Sequence, residues 1–270
     1  MYQRVRRSRR AALLVLPALA TALAGIGPFL AARVSWGHVI PDHTAGIVTP
    51  DLAWGILAAF PLVGIMLYSA AIEPDDAGLD AGRLLGGLGM VVMLWAASQV
   101  IGALPRVVAE QGILPHPDLM NRPFLVARRA LAPLPAVFRD GLVFRGFLLP
   151  QLYLLFHRDS AAPSLQGLGR ALVISQLLAL LPPLAAGWAG LSQLGAPALI
   201  QQAGLLLGLA LFLAWIYIRT GNLFFTMGVH LLVLSPIPLF APMIGKGPWI
   251  QQAVVVILAV GWTALWKGEK

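Results

Sequence analysis

An all-α, polytopic transmembrane bundle of about eight spans is the fold this sequence predicts, and three observations predict it. Only 11% of the 270 residues are charged while 59% are hydrophobic, and the mean hydropathy is +0.81. A soluble domain of this size has no interior able to hide so much apolar surface, whereas a bilayer solvates it. The apolar residues fall into runs of about 20, the length that crosses about 30 Å of hydrocarbon at 1.5 Å per residue. The short alternating segments of a membrane barrel are missing.

The runs follow in order. The first, 11–32, comes after a basic stretch, 1–10, holding Arg4, Arg6, Arg7, Arg9 and Arg10, which the positive-inside rule keeps in the cytoplasm. Ala22-Leu23-Ala24 has the form of a signal-peptide processing site, but the run continues to Ala32 and is long enough to span. Residues 33–51, with His38, Asp42 and His43, read as an outer loop, and the second span is 52–72. An acidic inner turn, 73–83, with Glu73, Asp75, Asp76 and Asp80, precedes the third span, 84–104. The remaining spans are 136–156, 171–190, 198–218, 223–243 and 249–266, with a short tail at 267–270. Both termini are then cytoplasmic, and Arg158, Arg170, Arg219, Lys267 and Lys270 fall on the inside, as the rule prefers.

Residues 105–139 disagree with this scheme. They carry Arg106, Arg122, Arg128, Arg129 and Arg139 yet fall outside. A missed or extra span repairs the conflict. So does a surface helix, because Phe124 to Phe138 mixes arginines with apolar residues as interfacial segments do.

Composition also excludes chemistry. With no cysteine, disulfides, thiolate metal sites and a cysteine nucleophile are ruled out. The net charge of +8 lies mainly beside spans, where it sets orientation and meets anionic headgroups, so lipid is the expected partner and nucleic acid is not. An ionisable residue inside a span costs about 2.5 kcal/mol or more, so each needs a reason. Few residues meet that description, Asp140, Arg145 and His230 among them.

Their surroundings carry a pattern. Residues 138–152 read Phe-Arg-Asp-Gly-Leu-Val-Phe-Arg-Gly-Phe-Leu-Leu-Pro-Gln-Leu, and 171–183 read Ala-Leu-Val-Ile-Ser-Gln-Leu-Leu-Ala-Leu-Leu-Pro-Pro. Residues 204–234 contain Arg219-Thr220-Gly221-Asn222-Leu223 and end at His230-Leu-Leu-Val-Leu234. In order and spacing these patches resemble the CPBP family of intramembrane proteases, the CAAX-prenyl-protease or Abi type. The resemblance covers about residues 130–266, leaving 11–129 as an N-terminal group of helices and loops.

That resemblance implies a pair of glutamates before the arginine, then Phe-x-x-x-His, then His-x-x-x-Asn. Such groups activate a water for amide hydrolysis, with zinc or with a glutamate base. Here the glutamate pair falls on Asp140 and Gly141, the Phe and His on Ala179 and Pro183, and the asparagine on Leu234; Arg145 and His230 are kept. Zinc needs about three protein ligands, which one carboxylate and one histidine do not supply. No cofactor is expected, and zinc only on the protease reading. Gln99, Tyr153, Gln176 and Asn222 are the other polar groups at the spans, none a good metal ligand, and His38, Asp42, His43 and His116 offer an alternative outer-loop site.

Simpler roles stand beside these. His230 as a neutral imidazole satisfied by a neighbouring helix is one. Asp140 and Arg145 as a structural ion pair is another, though five residues on an α-helix place them about 140° apart. Pro182-Pro183 reads as a helix break, and Gly204 with Gly208 as a close-packing face.

A second similarity, at Asp51-Leu52 to Gly55-Ile56-Leu57, Gly64-Ile65, Leu84 to Leu88 and Val107 to Leu114, is with the quinone-site membrane component of the respiratory NADH:quinone oxidoreductases (complex I). Three functional readings are therefore open. The chain is a catalytically impaired CPBP homologue of the cell (cytoplasmic or inner) membrane that binds a transmembrane or lipidated peptide or a partner helix. Alternatively it is an active endopeptidase using Asp140 and His230, or a non-catalytic membrane component of a respiratory or transport complex.

Overall fold

The computed structural model describes residues 12–33, 44, 46–69, 73–157, 164–241 and 249–265. The basic N-terminus, His38, Asp42, His43, Arg158 and the 267–270 tail lie outside the described residues. The fold is all-α; the one extended pairing among the described residues is an isolated bridge between Pro115 and Phe240.

In chain order the helices are α1 (Ala12–Arg33), α2 (Pro50–Ser69), α3 (Ala81–Val108), α4 (Pro117–Asn121), α5 (Pro123–Leu131) and α6 (Leu134–Asp140). A π-helical segment (Gly141–Leu148) leads directly into α7 (Leu149–Phe156). Then come α8 (Leu165–Leu178), α9 (Leu181–Leu191), α10 (Ala196–Thr220), α11 (Leu223–Leu234) and α12 (Trp249–Leu265). Four stretches, Pro50–Tyr68, Asp75–Val108, Leu165–Trp188 and Ala196–Thr220, are long and apolar enough to cross a membrane, and three shorter apolar helices accompany them.

Local chemistry explains several boundaries. Asp80 caps α3 by accepting from the Gly82 N–H at 2.7 Å, and Ser164 caps α8 through Gly167 at 3.0 Å. Pro182 and Pro183 sit in the first turn of α9, just after the break that ends α8, where proline's missing N–H does no harm. The run 223–243 predicts a full span, but its helix stops at Leu234. Pro236 and Pro238 follow, and two prolines so close cannot continue a helix.

Residues 105–139 divide into short helices and not a further span. In α5 the apolar and basic residues take separate faces and no residue is buried, the surface-helix alternative for this stretch.

The packing places α6, the π segment and α7 at the centre. All eight residues of the π segment are buried, and Phe144, Phe147, Leu148 and Leu149 share a core with Leu16, Leu62, Met66 and Ala171 from surrounding helices. A second core joins α3, α10, α11 and α12 through Met90, Leu213, Phe225 and Val255. Gly204 and Gly208 do not form the expected close-packing face: a Cβ at either would meet nothing within 4 Å. The close approach occurs instead at Gly228 of α11, where a Cβ would overlap the side chain of Val91 on α3.

Gly228→Ala should therefore destabilise the bundle by about 1–3 kcal/mol, the range for overpacked cores. Adding Val91→Ala should recover most of the loss. Thermal unfolding of both variants in detergent reads the difference.

Candidate functional site

The site is built where α6 passes into the π segment and faces α11. Asp140, the last residue of α6, is 8% exposed, Arg145 within the π segment 2%, and His230 on α11 6%. Arg145 lies within electrostatic reach of Asp140, and His230 within reach of Arg145 and Arg139. Arg145 thus interacts electrostatically with each of the other two residues.

The winding of the helix is the reason. On an α-helix Asp140 and Arg145 would point apart, each to its own partner. A π-helix closes i→i+5 hydrogen bonds, and Leu149 N–H donates to the Phe144 carbonyl five residues back. Residues five apart then become near neighbours on one face. The expected 140° separation is corrected accordingly. π segments of this kind are frequent at functional sites.

The ion pair differs from the expected one as well. Arg139, adjacent in sequence, donates from Nε to Asp140 Oδ1 at 2.8 Å, with both side chains largely buried. Nε and Nη1 of Arg145 and Nδ1 of His230 have no hydrogen-bond partner among the described residues. The imidazole is therefore not satisfied at Nδ1 by a neighbouring helix.

The substituted positions have clear structural roles. At Gly141 a Cβ would lie 2.6 Å from Met227 Cε and 2.7 Å from Met227 Cγ. The thioether of α11 fills the volume that a longer side chain at position 141 needs. Gly146, beside Arg145, lets the backbone carbonyl of Ala77 approach so closely that any Cβ would collide with it. Ala179 is buried in the central core. Pro183 lies on α9, whose main neighbour is α1, a location that contributes no polar group. Leu234 is 45% exposed and lines a cavity of about 800 Å³; Asp140, Arg145 and His230 do not line it.

The second strong motif piece proves to be architecture. Gly221 ends α10 with a left-handed φ of 64°, a conformation that glycine adopts without strain. Asn222 then caps α11 by accepting from Phe225 N–H at 2.9 Å. Asn222 Nδ2 also donates to the Arg83 carbonyl at 2.9 Å, and Arg83 Nη1 donates to the Gly221 carbonyl at 2.7 Å. This turn fixes where α11, and so His230, meets α3.

The remaining polar candidates hold structural positions. Gln176 is fully buried and donates to Ser175 Oγ at 2.9 Å. Tyr153 stacks on His157 with ring centroids 5.2 Å apart. His116 caps α4, its Nδ1 accepting from Asp118 N–H at 3.2 Å. Among the described residues no group of three His, Asp or Glu side chains could hold a metal ion. The residues present at this site therefore do not fit a zinc centre.

Sequence reasoning missed the roles of Arg139 and Met227. Arg139 carried a signal, as a charge beside Asp140 in an apolar stretch. Met227 carried none until its contact with Gly141 was known.

Residues 123–234 match the model of the Rce1-like family, described as type II CAAX prenyl endopeptidase Rce1-like. No curated protein and no solved structure matches the chain.

Removing one member of a buried pair strands a charge, at roughly 3–5 kcal/mol. Arg139→Gln should thus lower stability far more than the double variant Arg139→Gln/Asp140→Asn, in which no charge of the pair is left without its counter-ion. Thermal unfolding of the two in detergent checks the order.

Proposed function

We propose that this integral membrane protein, CAAX-protease-like over residues 123–234, has lost peptide-bond hydrolysis and retains the scaffold to bind a membrane-embedded peptide or partner helix, in the cytoplasmic membrane. The observation that carries this reading is Met227 filling the space beside Gly141. Where the family pattern has a carboxylate, this chain has a thioether already packed in its place.

Two further observations support it. Hydrolysis of an amide needs a base free to take a proton and a donor placed for the oxyanion. Asp140 is engaged by Arg139 at 2.8 Å, which favours a carboxylate held as a counter-ion over one poised as a base. Asparagine in the family's last motif is replaced by Leu234, which offers no hydrogen bond. What persists is shape: a central helix with every residue of its π segment buried, the α10–α11 turn, and apolar outer faces such as Leu85, Val92 and Val100 on α3. An exposed apolar helix face suits lipid or another helix.

Purified protein in lipid nanodiscs, incubated with a farnesylated peptide carrying a free C-terminal tripeptide, should release no product above the rate without protein. His230→Ala should behave identically. Release of the tripeptide by the wild-type chain, abolished in His230→Ala, would overturn the proposal and restore an active endopeptidase built on Asp140 and His230.

A further inference from the structure

The cavity beside Leu234 is the second feature of the molecule that asks for an occupant, and it is separate from the Asp140–Arg145–His230 group. Its volume of about 800 Å³ lies in the range of ligand sites, about 300–1,000 Å³. One wall comes from α3 at Gly102 and Pro105, a second from α5 at Val126 and Arg129, and a third from Leu234 and the chain that follows it.

This shell is built and not a chance gap. The segment after α11 is tied down on several sides. Trp95 Nε1 donates to the Ile237 carbonyl at 3.0 Å, Gln99 Oε1 accepts from Leu239 N–H at 2.8 Å, and Ser235 Oγ donates to the Arg129 carbonyl at 3.0 Å. His116 N–H donates to the Leu239 carbonyl at 2.8 Å.

The lining is apolar and charged, with uncharged polar side chains from Gln99, His116, Ser235, Gln251 and Gln252 between. Apolar groups dominate: Gly102, Pro105, Leu234 and Ile250. A charged end is formed by Asp118 and Arg129. The helices carrying that end, residues 117–131, hold Arg122, Arg128 and Arg129 against Asp118 alone, an excess of positive charge. The α3 turns beside the cavity expose Leu104 (55%) and Val108 (75%), so hydrocarbon adjoins the apolar end.

An anionic head attached to an apolar tail satisfies both ends, and in a bilayer the abundant molecule of that class is a phospholipid. From this geometry we infer that the cavity is a phospholipid site, with the phosphate at Arg129 and one acyl chain against Gly102, Pro105 and Ile250. Arg129 is held by Asp118 at 2.8 Å, with the Arg129 side chain 62% exposed and that of Asp118 32%. Exposed pairs of this kind contribute little to stability, so the guanidinium can turn to a phosphate, which it binds with two parallel hydrogen bonds.

The test is native mass spectrometry of the full chain in detergent, titrated with phosphatidylglycerol, with diacylglycerol and inorganic phosphate as separate arms. One saturable phosphatidylglycerol adduct is expected. Arg129→Gln should weaken it about tenfold, the effect of one charge-assisted contact. Gly102→Leu should weaken it at least as much, because its side chain enters the cavity. A Cβ at Gly102 meets nothing within 4 Å, so this variant should fold, and an unchanged melting temperature verifies that it has. An adduct that survives Gly102→Leu means lipid on the outer surface only and overturns the inference. So does diacylglycerol binding as tightly as phosphatidylglycerol, inorganic phosphate binding as tightly as the lipid, or a co-purifying peptide that excludes the lipid.

Discussion

The bundle is organised by one constraint: the helix from Leu134 to Phe156 must run through the middle of the molecule with no room around its waist. From Gly141 to Leu148 every residue is buried. Bare backbone at Gly141 and Gly146 lets Met227 and the Ala77 carbonyl press in. Because an apolar bilayer gives little reason for helices to attract one another, tight van der Waals contact is a main source of association. Neighbouring helices meet this waist, including α1, α8 and α11. A larger side chain at either glycine would push out a neighbour, and the rest of the packing would shift with it.

The same constraint decides the fate of the polar residues. Asp140, Arg139 and Arg145 lie at the end of the tightest part of the molecule, where no solvent is at hand to stabilise a lone charge. Asp140 is answered by the arginine beside it in sequence. This explains how a carboxylate is kept in an apolar interior. Nδ1 of His230 and Nε and Nη1 of Arg145 have no hydrogen-bond partner among the described residues.

Much of this was legible in the chain. Length and hydropathy located the long helices to within a few residues, because crossing hydrocarbon demands a fixed apolar length. Asp140, Arg145 and His230 stand out because charge in an apolar run is costly, and Arg145 lies within electrostatic reach of the other two. The surface character of 123–131 was visible from arginines interleaved with apolar residues. Other features were not visible. Wide winding at Gly141–Leu148 leaves no mark in hydrophobic periodicity, so the true relation between Asp140 and Arg145 is hidden there. Helix α11 ends at Leu234 although the hydropathy continues, since apolar composition sets a span's length and Pro236 with Pro238 set where the helix stops. The Gly204–Gly208 spacing suggests a contact that Gly228 makes instead, because a glycine shows that a backbone can approach but not what approaches it.

The π segment also divides the central helix into two halves that keep different phase. Each extra residue wound into a turn shifts everything after it around the axis, so Arg145 and the α7 side chains are indexed separately from Val137 and Asp140. Chain length there acts as an angular setting: one residue fewer between Asp140 and Arg145 would leave both halves helical yet swing the second around, carrying the Arg145 guanidinium away from Asp140. Insertions and deletions, far more than substitutions, are what this stretch cannot absorb.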